Sequence, residues 1–475
     1  MRLKSLYIQD YKILQDFRID FSSNLSVLIG ENGSGKSSII ECLAYIFGHL
    51  HKYFVLDDKT SEFIDGYKIN YTINGLDVYI ESHYKDSKSN TFDPVIKING
   101  VKISMSKLRK TYPDFAFLPS KVVLSYSGIT ERLALLSDHF EQKFIRKIIR
   151  QNNPYSLKPL ILPEDNPFVY IKKEYVAFII LALFVLNTDE ANNLLSLLGI
   201  DINDCTTTIT LKKPSWAKNS KEENNQDMIW GMSGKIARDL LDGLNQIAEN
   251  KNKEGEKEPD KLKYELYGSP NIKDLFADYY ELSPSQVVLF LNTLLCDELL
   301  ASVDITWNKG FSLDKLSEGE KQLILSVGLS LVLNQSNILF LLDEPDVSLH
   351  PKWQQDFITN FTKGLNNESM AIISTHNPIL IGNSNRTGIH IIEAGNEKRN
   401  EYYSHGRDIN SLLYDYFGVK ERNEFGEKLI GTFYDAMTRK DYDNAERILK
   451  ELHNEFGNGD LTVIKADSIF DDLAE

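Results

Sequence analysis

The chain opens on alternating apolar and polar positions. The runs "RLKSLYIQ", "FRIDF" and "NLSVLIG" repeat with the two-residue period of strands that bury one face. The third enters a glycine-rich turn, and "KSSIIECLAYIFGHL" then switches to helical spacing. "YKINYTINGLDVYIESHYK" returns to alternation with Asn74-Gly75 as its hairpin turn, and "VIKINGVKI" repeats the device with a second Asn-Gly. From about Asp138 to Leu300 the pattern reads as helices, interrupted by the polar stretches "NSKEENNQD" and "KNKEGEKEPDK". "YVAFIILALFVL" has 12 residues, short of the ~20 that a membrane span needs, and reads as a buried core helix. Apolar strands resume in "SNILFLLDEPD", "SMAIISTHNP" and "GIHIIEAGN", and the tail from roughly Asp408 is helical again. No internal repeat is visible.

Composition narrows the class. With 42% apolar and 25% charged residues, the 475-residue chain reads as an ordinary globular protein of two or three lobes. Its net charge of −15 argues against a surface coated for wrapping nucleic acid, so any such contact needs a local basic patch. Cys42, Cys205 and Cys296 lie far apart and suggest neither a disulfide frame nor a zinc site. With no signal-peptide core at "MRLKSLYIQDYK", the expectation is a cytoplasmic protein without a membrane role.

The chemistry is concentrated in four stretches. "GENGSGKS", Gly30 to Ser37, fits GxxxxGK[ST] between a predicted strand and a predicted helix. In such a loop Gly30, Glu31, Asn32, Gly33, Ser34 and Gly35 present backbone N–H groups to phosphates, and Ser38 continues the helix start. Lys36 should reach the β- and γ-phosphates and the Ser37 hydroxyl should ligate Mg²⁺, so ATP and Mg²⁺ are the expected cofactors. In "ILFLLDEP", Asp343 and Glu344 emerge at the end of a buried parallel strand, Asp343 to hold the metal and Glu344 to act as general base. "IISTH" ends at His376, placed to sense the γ-phosphate. "LSEGEKQ" contains Ser317 and Glu320 in the spacing of a capping box, and Gly319 leaves N–H groups open to an anion; cap and phosphate site are compatible roles.

Together these stretches resemble an α/β ABC-type P-loop ATPase head of the SMC/RecF/OLD-like branch, with Asp346 as the D-loop. "LYIQDYKILQDFRIDF" and "DEPDVSLHP" carry the likeness to that branch rather than to transporter ATPases. The resemblance implies that Lys12 lies near the phosphates. It also implies that Ser317 and Gly319 serve a nucleotide held by another copy, so that a head-to-tail dimer or higher oligomer forms. It divides the chain into half-heads at 1–137 and 301–398, a helical insert at 138–300, and a helical partner-docking tail at 399–475.

The sequence departs from the family in places. No glutamine follows the "KVVLSYSG" strand, and the insert is too short for long coiled-coil arms. OLD-type relatives carry a TOPRIM nuclease, but Asp441-Tyr442-Asp443 lies between helical stretches where that fold needs a strand end. The tail is instead similar to PtuA-type ATPases of Septu and retron-associated antiphage systems, which implies a partner nuclease of HNH type. Lys143, Arg146, Lys147 and Arg150 form a basic stripe that suits a solvated face or salt bridges within this acidic chain, or contact with nucleic acid phosphates; as a partner, nucleic acid is expected only through the complex. A RecF-type repair ATPase acting on DNA, or an ATP-sensing scaffold with little hydrolysis, are the alternative readings.

Overall fold

The structure is a computed structural model. It describes residues 1–55, 57, 66–82, 94–126, 133–138, 140, 167–215, 230, 235–248, 250–253, 260–308, 310–384 and 388–474. The basic stripe at Lys143–Arg150 lies outside the described residues.

Residues 1–407 form one compact unit and 408–475 another. At the centre of the first is a seven-stranded sheet. Its order is Asn396–Lys398, Ile389–Glu393, Leu25–Ile29, Met370–Thr375, Ile338–Asp343, Lys121–Ser125, Phe168–Tyr170. All are parallel except the edge strand Asn396–Lys398, which pairs antiparallel with its neighbour. Every residue of Ile338–Asp343 and Met370–Thr375 is buried, which is why these strands read as unbroken apolar runs rather than as alternation.

The helix Lys36–Val55 packs between this sheet and a six-stranded antiparallel one, so all but Ser37 and Val55 of its residues are buried. One core joins Ile39, Leu43 and Phe47 of the helix to Leu3 and Ile69 on one side and to Leu339 and Ile372 on the other. Both predicted hairpin turns are present. Asn74-Gly75 and Asn99-Gly100 hold positive φ at both positions, as a type I′ turn requires.

The insert is not purely helical. Tyr175–Leu186 is the buried core helix expected from its sequence. However, Asn250–Lys253, Lys261–Tyr267 and Cys205–Lys212 join Leu300–Trp307 and Phe311–Ser312 in a five-stranded antiparallel sheet. The signal lay in the β-branched run of "CTTTITLK" and in the apolar–polar alternation of "KLKYELY". No helix among the described residues is long and apolar enough to cross a membrane.

The second unit begins at Asp408. It packs helices Ile409–Phe417, Glu424–Thr438, Tyr442–Phe456 and Leu461–Ala474, the last three around Phe433, Ala445, Leu452 and Val463. Asp441, first of the formal DxD, N-caps the third helix by accepting from the Asn444 N–H at 3.4 Å.

Candidate nucleotide site

Three neighbouring strands of the parallel sheet end at the same edge: Leu25–Ile29, Met370–Thr375 and Ile338–Asp343. That edge is where parallel sheets present ligand-binding loops. Gly30 to Ser37 leave the first strand and enter the helix. Gly30, Gly33 and Gly35 sit at φ of +153°, +79° and +116°. A Cβ on Gly30 would lie 2.1 Å from the Ile392 carbonyl oxygen, so the strand-to-loop turn admits glycine alone. The loop is braced from outside by the Gly395 N–H, which donates to the Ser34 carbonyl at 2.8 Å.

Lys36 is buried and turned back on the loop, donating to the carbonyls of Gly30 at 2.8 Å and Glu31 at 2.9 Å. Burial lowers its pKa, and the carboxylates of Glu344 and Asp343 pull the other way. The Ser37 hydroxyl donates to Asp343 Oδ1 at 2.8 Å, and the Ser374 hydroxyl donates to the same oxygen at 2.5 Å. Glu344 holds a left-handed backbone, φ +49°, its N–H received by the carbonyl and hydroxyl oxygens of Ser374, each at 3.1 Å. His376 Nδ1 lies 3.1 Å from Glu344 Oε1. Asp346 is buried and accepts from Thr375 Oγ1 at 3.1 Å; burial raises its pKa above the usual carboxylate value.

The structure thus brings Lys36, Ser37, Asp343, Glu344 and His376 together. Ser317 and Gly319 make no hydrogen bond to these five residues among the described residues. Ser317 caps its helix as predicted: its Oγ accepts from the Glu320 N–H at 3.2 Å, and Glu320 Oε2 accepts the Ser317 N–H at 2.7 Å. Among the described residues, the Ser317 side chain bonds only to Glu320. Gly319 is packed so closely on the loop after Glu344 that a Cβ would fall 2.3 Å from the Ser348 carbonyl oxygen.

Lys12 occupies the turn between the first two strands at φ +54° and forms an ion pair with Glu41 on the P-loop helix. Glu41 also accepts from Tyr11 at 2.6 Å and from Tyr126 at 2.5 Å. Burial pushes the Glu41 carboxyl up, but the hydrogen bonds from Lys12, Tyr11 and Tyr126 outweigh it and leave the pKa below its ordinary value. Sequence reasoning missed this cluster, and missed Ser374. The available signals were a lone acid in an apolar helix and a tyrosine just past the Lys121–Ser125 strand, where a glutamine was sought.

The site fits a nucleoside triphosphate with its metal. Ser34 Oγ is buried in the loop with no hydrogen-bond partner among the described residues. The glycines keep the cradle clear, and Ser37 and Asp343 offer adjacent hard oxygens of the kind Mg²⁺ takes.

Fold and site together define a P-loop ATPase head. Residues 1–381 match the family described as AAA ATPase domain (AAA_15), and the chain belongs to it. It is 23% identical to the "Retron Ec83 probable ATPase" of Escherichia coli over 98% of this chain and 86% of that one. It is 23% identical to the "Retron Vc95 probable ATPase" of Vibrio cholerae over 80% and 71%. The DNA replication and repair protein RecF of Desulfitobacterium hafniense is 28% identical over 31% of this chain, which spans only 40% of that relative's length. Among solved structures, the SMC head domain from Thermotoga maritima aligns over 83% of this chain and 97% of its own, at 15% identity and a TM-score of 0.31. RecF of the RecFOR pathway aligns over the same 83% and 97% at 15% identity, with a TM-score of 0.34.

Proposed function

We propose that this protein is the ATP-binding and ATP-hydrolysing subunit of a cytoplasmic bacterial antiphage complex, and that it regulates a separate partner nuclease of HNH type. Its working sites form between copies, head to tail, in a dimer or higher oligomer, and nucleic acid is met through the complex. The observation that carries the ATPase reading is the convergence of Lys36, Ser37, Asp343, Glu344 and His376 at one sheet edge. The defence reading is supported by the likeness to two retron ATPases, which runs along 98% and 80% of the chain, whereas the likeness to RecF covers 31%.

In this mechanism Lys36 would exchange its two loop carbonyls for the β- and γ-phosphates, and Ser37 and Asp343 would hold Mg²⁺. The metal supplies neutralisation of phosphate charge. Glu344 accepts the proton of the attacking water, and His376 fixes the orientation of that carboxylate. Ser317 and Gly319, idle toward their own nucleotide, complete the site of a neighbouring copy. The tail docks the partner, and the nuclease activity in this reading is the partner's; the cap that Asp441 makes supports a structural role for that residue.

Glu344→Gln tests the reading. The variant should bind ATP with Mg²⁺ and accumulate as a larger species in gel filtration while turnover falls by about 10²-fold or more. Turnover equal to wild type overturns the assignment of the base. Copurification of an HNH protein from the adjacent reading frame supports the defence role, and a membrane permease in that frame overturns the defence role; DNA-stimulated hydrolysis by the isolated chain favours the repair alternative instead.

A further inference from the structure

The strand beside the phosphate loop ends in a hairpin that returns onto the loop. Ile389–Glu393 runs parallel to Leu25–Ile29, with Ile391 opposite Ile29, and turns back through Ala394 and Gly395 into Asn396–Lys398. Ala394 and Gly395 hold φ of +46° and +77°, the two positive values of a type I′ turn. Alanine is strained in that region, and a strained turn persists where its surroundings hold it. A Cβ on Gly395 would lie 2.2 Å from the Ile13 carbonyl oxygen, and one on Gly35 would lie 3.2 Å from Ile13 Cγ2 and 3.6 Å from Gly395 Cα. The hairpin turn is thus wedged between the phosphate loop and the turn at Ile13.

One hydrogen bond crosses this contact. The hairpin ladder closes at Glu393 and Asn396, which leaves the Gly395 N–H to donate to the Ser34 carbonyl at 2.8 Å. The Ser34 C=O and the Gly35 N–H belong to one planar trans peptide, in which the two bonds point in opposite directions. Holding the carbonyl toward the hairpin therefore turns the Gly35 N–H away from it, to the interior of the phosphate loop.

The hairpin is itself clasped. Ile392 stands opposite Glu397, so His390 and Glu397 lie diagonally on one face. His390 Nδ1 donates to Glu397 Oε1 at 2.7 Å, since a carboxylate only accepts. The imidazole is buried edge-on to Phe21, with ring centroids 5.3 Å apart, which seats the clasp beside the end of Leu14–Asp20. Lys398 pairs with Glu393 on the other face, but both are exposed and add little.

We propose that Gly395 is a positioning residue for phosphate binding. Its N–H sets the Ser34–Gly35 peptide so that the Gly35 N–H meets the phosphates, and the His390–Glu397 clasp keeps the turn in place. This role rests on Gly30–Ser37 being the ATP site. A loop oriented in advance spares the ligand the cost of ordering it. An N–H that holds phosphate equally before and during reaction changes affinity and leaves turnover at saturation alone.

The test uses the full chain, titrated with Mg²⁺ and the non-hydrolysable analogue AMP-PNP, alongside steady-state ATP turnover. Gly395→Ala should weaken binding by about tenfold or more. Glu397→Ala, which leaves the turn residues untouched, should weaken it by about threefold or more, with kcat within about threefold of wild type. Glu397→Gln keeps an acceptor oxygen for His390 and should bind within about twofold of wild type. Because the two Glu397 variants differ only at the clasp, they decide the matter even where Gly395→Ala folds poorly. A wild-type chain that binds no nucleotide would overturn the ATP site on which this role rests. Given binding by wild type, unchanged affinity in Glu397→Ala, no recovery in Glu397→Gln, or kcat falling in step with affinity would each overturn the positioning role alone.

Discussion

Ser37 and Asp343 are 306 positions apart in the chain, and their side chains meet at 2.8 Å. The contact joins the N-terminal and C-terminal halves of the head at the point where a metal would be held. Ser374, on the strand between them, fixes the same carboxylate oxygen from the other side.

Ser374→Ala removes that second donor and one of the two acceptors of the Glu344 N–H. Turnover should fall by about tenfold, equivalent to ~1.4 kcal/mol of transition-state stabilisation, with ATP affinity within about threefold of wild type. A steady-state assay paired with a nucleotide-binding titration separates the two. An unchanged kcat would show that Asp343 is held well enough by Ser37.

Glu41→Gln keeps the shape of the side chain but removes the charge that collects Lys12, Tyr11 and Tyr126. The Glu41 side chain is 5% exposed and that of Lys12 50%, so the loss should be modest, about 1–2 kcal/mol by urea denaturation at pH 7. Because the folded pKa lies below the ordinary glutamate value, the contribution is fully present above that value. It should fade as pH falls through the folded pKa. The gap between wild type and variant should therefore close in acid; a gap that is constant with pH would place the cost in packing instead.

Gly319→Ala drives a Cβ against the Ser348 carbonyl, a backbone atom that cannot swing aside. The helix start must shift, at a cost of about 1–3 kcal/mol. P-loop binding of ATP should survive, and turnover should drop by about tenfold or more. Equal losses in binding and turnover would mean a general folding defect.

Asp441 distinguishes a cap from a metal ligand. Asp441→Asn should leave thermal stability almost unchanged, since asparagine caps equally well, whereas Asp441→Ala should cost ~1 kcal/mol. A metal-dependent activity abolished by the asparagine variant would contradict the capping role.

Much of this was legible in the residues themselves. Unbroken apolar runs marked the central strands because burial on both faces removes any need for alternation, and Asn-Gly marked both hairpins because their turns need positive φ. Glycine spacing fixed the phosphate loop. What escaped notice depended on long-range convergence. Nothing local to Glu41 shows that Lys12 and Tyr126 will arrive beside it from a distant turn and a strand end, and Ser374 gains its role only through register with Asp343. The strands of the insert are less legible for another reason: each is a short run set among polar stretches, so its alternation extends over only a few residues.

The close seat of Gly319 on Ser348 ties the surface a chain turns outward to the loop that follows its own Glu344. In the proposed oligomer a copy could not loosen its grip on a neighbour's nucleotide while leaving its own hydrolytic loop still. News of one phosphate's release would pass from chain to chain as mechanical displacement, which would make the assembly a relay rather than a set of independent clocks.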